Sequence, residues 1–178
     1  MTTLLGISGS LRRASTNTML MRNAAAILGP DEFIEADINF PLFNEDLQEA
    51  EGIPAAVQTL SDQIARADAV IIATPEYNKA LSGALKNALD WVSRTEGNPW
   101  NDKPLAIMSA AAGRAGGERS QFSLRLAMMA FRPRILQGPE VLIGASSKEF
   151  DAEGKLTGES YIKFVTALMD ALRREIGR

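Results

Sequence analysis

Short apolar runs alternate with longer segments of helical period along this chain. Thr3 to Ser8 (TLLGIS) is a compact apolar run and reads as a first strand. Thr16 to Leu28 follows with Leu20, Ala24, Ile27 and Leu28 on one helical face, and Gly29-Pro30 stops it. Phe33 to Ala36 reads as a second strand, and Ile38 to Gly52 as a loop that contains PLFNEDL. Pro54 opens the next helix at an early position, where its missing N–H costs nothing; Val57, Leu60, Ile64 and Ala67 form its buried stripe. Ala69 to Thr74 (AVIIAT) is apolar without alternation, as in a strand covered on both faces. Ser82 to Arg94 is a helix that buries Leu85, Ala88, Leu89 and Val92. Leu105 to Ser109 is a fourth strand, Ala110 to Gly117 a glycine-rich loop and Glu118 to Phe131 a helix. Ile135 to Ile143 carries a fifth strand interrupted by Gly138-Pro139, and residues 146–158 are turn-like. Glu159 to Ile176 is a final amphipathic helix with Ile162, Val165, Leu168, Met169 and Leu172 facing inward.

Strands alternating with helices in this way predict an α/β sandwich around a parallel sheet. The length of 178 residues suits one domain over residues 1–178 with a full core. In such sheets ligands bind beyond the carboxyl ends of the strands. The loops in that position are Gly9 to Asn17, Pro75 to Leu81 and Ala110 to Gly117.

Composition then narrows the chemistry. The net charge of -3 argues against nucleic acid as the main partner. The chain has no cysteine and no histidine. Disulfides, thiolate catalysis and a Ser-His-Asp triad are therefore excluded, no metal site is expected, and any redox chemistry must come from an organic cofactor. The N-terminus lacks the pattern of a secretory signal, and no apolar stretch approaches the roughly 20 residues of a membrane span. These features predict a cytoplasmic protein without membrane insertion.

The first loop, SGSLRRASTN, places Ser8, Ser10, Arg12, Ser15, Thr16 and Asn17 where a strand gives way to a helix. Free N–H groups at a helix start, with hydroxyls and forked arginine donors, suit a phosphate monoester. The same residues also read as a capped helix start with solvated arginines, Ser15 being the cap. In the second loop, TPEYN, Pro75 restrains the chain beside Glu76, Tyr77 and Asn78. Such a loop suits the edge and face of a flat ring; its plain reading is a turn with Tyr77 covering the sheet. The third loop, SAAAGRAGGER, allows close backbone approach to a ligand or simply a flexible turn. Neither a G-x-G-x-x-G fingerprint nor a P-loop lysine motif is present. RRAS matches a basophilic kinase site only as chance matches do. DAEGKLTGE, residues 151–159, lacks an oxygen ligand at its fifth position, where Lys155 stands, and reads as a turn rather than a calcium loop.

GSLRRASTN, then TPEYN followed by GALKNALDW (Gly83 to Trp91), then the Ser109 to Gly117 loop together resemble the NADPH-dependent FMN reductase family, from Leu4 to about Phe164. The resemblance implies a flavodoxin-like three-layer sandwich with a five-stranded parallel sheet in order 2-1-3-4-5. Strands one, three and four are then neighbours, and the three loops line one rim. It implies bound FMN, with NAD(P)H as co-substrate. Ser10, Arg12, Ser15 and Asn17 would hold the phosphate, with Ser8 and Thr16 beside them. Pro75, Glu76, Tyr77 and Asn78 would cradle the isoalloxazine. Ser109, Ala112 and Gly113 would meet its pyrimidine side, with Arg114 as a cation near the reduced ring. Alanine at positions 111 and 112 and arginine at position 13 depart from many relatives. The implied activity is ping-pong hydride transfer from NAD(P)H to FMN, then two-electron reduction of quinones, chromate, ferric chelates or flavins. Such chemistry needs alignment rather than an acid–base side chain, which agrees with the lack of histidine and cysteine. The alternatives are a non-enzymatic flavodoxin-like carrier and an FMN-binding sensor.

Homodimers or homotetramers with FMN near the interface are also implied. PLFNEDL would bring Asn44 and Asp46 toward a neighbour's flavin. Trp91, Trp100, Phe122, Met128, Met129 and Phe131 supply large apolar groups around the third and fourth predicted helices, for core or interface.

Overall fold

The continuous apolar run of residues 69–74 is buried along its whole length. In the computed structural model, which describes residues 1–177, it forms β3 (Ala69–Thr74), flanked by β1 (Thr3–Ser8) and β4 (Pro104–Ala110). β2 (Glu32–Glu35) pairs with the outer side of β1, and every pairing in the sheet is parallel. The order β2-β1-β3-β4-β5 is the flavodoxin-like one. The expected boundary at Arg178 lies outside the described residues.

Alternation along the strands divides the core. Leu4, Ala69, Ile71 and Ala73 face α1 (Thr16–Leu28) and α6 (Glu159–Ile176). Leu5, Ile7, Val70 and Ile72 face α3 (Ala55–Arg66), α4 (Gly83–Val92) and α5 (Glu118–Met128). Helices thus cover both faces, as a parallel sheet requires.

Several expectations shift. The fifth strand is two short ones, β5 (Arg134–Ile135) and β6 (Val141–Ile143), both paired with β4, with Gly138-Pro139 in the gap. The Ile38 to Gly52 loop contains a helix, α2 (Glu45–Glu51), capped by Asn44. It buries none of its residues, so no apolar stripe announces it. Ser82 and Arg94 lie outside α4, and Met129 to Phe131 outside α5. Ile162 is only partly buried.

Candidate functional site

β1, β3, β4 and β6 end side by side, so the segments that follow them share one rim. Between these segments lies a cleft of about 270 Å³. Ser10, Arg12, Ser15, Thr16 and Asn17 line it from the first loop; Pro75, Glu76 and Tyr77 line it from the loop after β3. Ala110, Ala111 and Ala112 supply the β4 side, and Ser146 and Ser147 come from the turn after β6.

The first loop is held by its own hydroxyls. Ser15 caps α1, its Oγ accepting from the N–H groups of Asn17 and Thr18 at 3.2 and 3.4 Å. Asn17 is buried, and its amide bridges to the end of β4. Nδ2 donates to Ala110 O at 2.9 Å, and Oδ1 accepts from Ala110 N at 2.9 Å. Arg12 uses Nη2 to donate to Ala14 O, which leaves other donors of its guanidinium fork for a ligand. Thr16 Oγ1 lies 3.2 Å from Ser146 Oγ, joining α1 to the turn after β6.

The loop after β3 is a rigid hairpin. Tyr77 and Ala80 exchange backbone hydrogen bonds at 3.0 and 3.1 Å. Glu76 Oε2 accepts from Arg119 N at 3.1 Å, which sets its negative charge at the N-terminal end of α5. Ser82, the cap of α4, donates to Gly9 O and so staples this segment to the first loop.

The glycine-rich loop is packed against the protein itself. A Cβ at Gly116 would stand 2.5 Å from the Leu142 carbonyl carbon, and one at Gly144 would stand 2.5 Å from Arg114 O. The close approach allowed by these glycines is therefore between this loop and the backbone of β6 and the residue after it, not to a ligand. Ser109 is fully buried. Its hydroxyl donates to Gly116 O at 2.7 Å and accepts from Gln121 Nε2 at 2.9 Å. Ser109 holds this loop in place and does not line the cleft. Ser8 is also outside the lining, its Oγ accepting from Thr18 Oγ1 at 2.8 Å. Asn78, Gly113 and Arg114 are exposed and outside the lining as well.

Sequence reasoning missed Ser146 and Ser147. The segment after β6 reads as a plain turn, and the parallel pairing of β6 with β4 brings it to the same rim. A hydroxyl pair directly after a short apolar run was the available signal.

Among the described residues, the backbone N–H groups of Thr16, Glu76 and Ala112 have no acceptor within the chain. All three residues line the cleft. One end therefore offers a helix N-terminus, hydroxyls and an arginine to an anion. The other offers N–H donors beside the flat apolar surfaces of Pro75 and Tyr77. That division suits a planar polar ring carrying a phosphate tail.

The family profile of NADPH-dependent FMN reductases matches residues 2–148. The chain belongs to that family. It is 42% identical over 177 residues to an NAD(P)H-dependent FMN reductase of Pseudomonas aeruginosa, which covers 98% of this chain and 95% of the relative. It is 35% identical over 174 residues to a quinone reductase of Escherichia coli, covering 96% and 93%. Among solved structures, FerB, a flavoenzyme NAD(P)H:(acceptor) oxidoreductase from Paracoccus denitrificans, superposes with a TM-score of 0.88 at 32% identity, covering 99% and 98%. The chain is thus an oxidoreductase with FMN as cofactor and NAD(P)H as co-substrate. The donors of its cleft fit the cofactor.

Away from the cleft, the PLFNEDL segment of the reductase is clamped to α4. Pro41 O accepts from Trp91 Nε1 at 2.8 Å and from Asn87 Nδ2 at 3.0 Å, while Phe43 N donates to Asn87 Oδ1 at 2.8 Å. Phe43 packs edge-on against Trp91 with ring centroids 5.1 Å apart. Leu42, between these anchors, remains 82% exposed. Trp91, Trp100 and Met128 belong to the core, whereas Phe122, Leu126 and Met129 stand 55%, 70% and 71% exposed along α5 and its end. Asn44 spends its side chain on capping α2, accepting from Asp46 N at 3.0 Å. No described helix is long and apolar enough to cross a membrane.

Proposed function

We propose that this chain is an FMN-dependent NAD(P)H oxidoreductase whose principal acceptors are quinones. One observation carries the reading: the cleft offers anion-binding groups at one end and N–H donors beside flat apolar walls at the other. Arg12, Ser10, Thr16 and Ser147 would hold the phosphate with the N-terminus of α1, and Ser15 and Asn17 would fix that helix start. Pro75, Tyr77 and Ala111 would flank the ring, and the N–H groups of Glu76 and Ala112 would meet its polar edge. Asn78 would shape the loop, Ser109 and Gly113 the far wall. Ser8 would support the phosphate loop from behind.

Bound FMN supplies hydride acceptance from the nicotinamide and two-electron delivery to the acceptor. The chain's own task is orientation and partial exclusion of water. Its cleft lining has Glu76 as its one carboxylate, and that group is hydrogen-bonded to α5. Donor and acceptor would use the same opening in turn, which predicts ping-pong kinetics. Flat apolar walls favour quinones; chromate, ferric chelates and free flavin are the acceptors to compare with them.

The reading extends to a homodimer or homotetramer. Leu42 and the Phe122–Leu126–Met129 stripe are apolar groups displayed on rigid supports. Exposed Glu45, Asp46, Glu49 and Glu51 make α2 acidic, while Arg119 and Arg132 flank the α5 stripe. Opposite charges on separate patches of one chain are self-complementary about a two-fold axis.

The test is anaerobic addition of NADH or NADPH to the FMN-loaded protein. Bleaching of the flavin band near ~450 nm, followed by recovery on adding a quinone, is the expected result. A band that persists with both donors would point to a carrier or sensor instead. Initial rates should give parallel double-reciprocal lines; intersecting lines would remove the shared opening.

A further inference from the structure

One turn bordering the cleft carries a residue that its backbone disfavours. Asn78 and Lys79 are the central residues of the hairpin between Tyr77 and Ala80, with φ of 51° and 70°. Positive φ at both positions defines the mirror-image hairpin turn, which favours asparagine followed by glycine. Asn78 conforms, but Lys79 does not. An L side chain in this left-handed region crowds the next carbonyl, a cost that glycine escapes. Lys79 is exposed and, among the described residues, makes no hydrogen bond or ion pair that would offset the cost. Strained positions held in this way cluster where a side chain serves a ligand.

Lys79 sets an ammonium at the tip of a rigid turn, two residues beyond Tyr77, which lines the cleft. The neighbouring rim is cationic although the chain carries a net charge of -3. Arg12 and Arg13 are exposed on the first loop and Arg114 on the third. Glu76, the carboxylate in the lining, has its charge engaged at the α5 N-terminus. The FMN phosphate is served by the first loop, so it leaves Lys79 unused. A nicotinamide dinucleotide brings further phosphates to the mouth of the cleft, and a Lys ammonium is a point charge suited to them.

We propose that Lys79 is a donor-recognition residue whose ammonium binds a phosphate of the incoming nicotinamide dinucleotide. This rests on the reading of the chain as an NAD(P)H oxidoreductase. The ligand group is either the pyrophosphate, common to both dinucleotides, or the 2′-phosphate of NADPH alone.

The experiment titrates NADP⁺ and NAD⁺ into FMN-loaded wild type, Lys79→Ala, Lys79→Gly and Lys79→Arg by calorimetry, at low and raised salt, beside thermal unfolding. Lys79→Ala and Lys79→Gly should weaken NADP⁺ binding about twofold to fivefold, the size of an exposed charge pair, and the loss should shrink in salt. Lys79→Arg should retain wild-type affinity. Lys79→Gly, relieved of strain, should unfold about 2–4 °C higher than wild type. A loss confined to NADP⁺ assigns the 2′-phosphate, and equal loss of NAD⁺ assigns the pyrophosphate; both support the proposal. Unchanged affinity for both ligands in Lys79→Ala and Lys79→Gly overturns it, as does a Lys79→Gly melting temperature at or below wild type. A wild type that neither donor bleaches would instead remove the oxidoreductase reading, so the two failures are distinct.

Discussion

Asn17 joins the two ends of the cleft. Its buried amide pairs with both backbone groups of Ala110, so α1 and the end of β4 are held as one unit. Asn17→Ala would leave a buried N–H and a buried carbonyl unpaired, a loss of roughly 2–4 kcal/mol that urea unfolding would register. A loss under about 0.5 kcal/mol would mean that other groups satisfy Ala110. The sequence shows an amide just inside a helix cap and invites a phosphate-ligand reading. It does not show which strand end lies opposite, and that contact decides what the side chain bonds. Lys103 makes a second residue-scale case. Its Nζ donates to Ala65 O and Ala67 O at the end of α3. Burial, only partly opposed by attraction to Asp68, pushes its ammonium below the ordinary 10.5. Between that lowered value and 10.5 the unfolded chain binds more protons than the folded one, so stability rises with pH across this window. Lys103→Met lacks this increment. The wild-type stability minus that of the variant should therefore grow with pH there, as urea unfolding at stepped pH would show. A difference that shrinks would mean that the two carbonyls hold the ammonium more strongly than burial disfavours it.

At the scale of elements, α5 is apolar in part on both of its faces. Leu124 and Met128 enter the core, while Phe122, Leu126 and Met129 face outward. A Leu126→Lys substitution should lower the sedimenting mass at micromolar concentration while changing unfolding stability of the isolated subunit by less than about 0.5 kcal/mol. An unchanged mass would show that α5 is not the contact. Helix and strand periodicity made β1, α1, β3 and α6 readable at their observed bounds, because each buries a regular stripe or run. α2 escaped because it buries no residue fully and only Leu47 packs against the core. β5 and β6 read as one broken strand because both lie in the same lane beside β4.

At the scale of the whole molecule, the cleft draws on segments far apart in the chain, from Ser10 to Ser147, and its lining is joined by Asn17, Ser82 and the Thr16–Ser146 contact. A ligand that spans these segments stabilises the fold as a unit. FMN at about 100 times its Kd should add about 2.7 kcal/mol and raise Tm by roughly 5–10 °C. Arg12→Ala should reduce that rise at fixed FMN, by weakening the cofactor about tenfold or more. A rise equal to that of wild type would remove Arg12 from the phosphate site.

The packing of Gly116 and Gly144 bears on how this scaffold can diversify. Both positions face backbone at a separation where even a methyl group collides. Ala111, Ala112 and Ser147, by contrast, present small side chains to the cleft. A mutagenesis library that varies the latter positions and freezes the glycines would explore new acceptors on an intact frame. One that randomises the glycines would return mostly misfolded clones. Evolvability here is confined to a few side chains set on a backbone junction that tolerates no change.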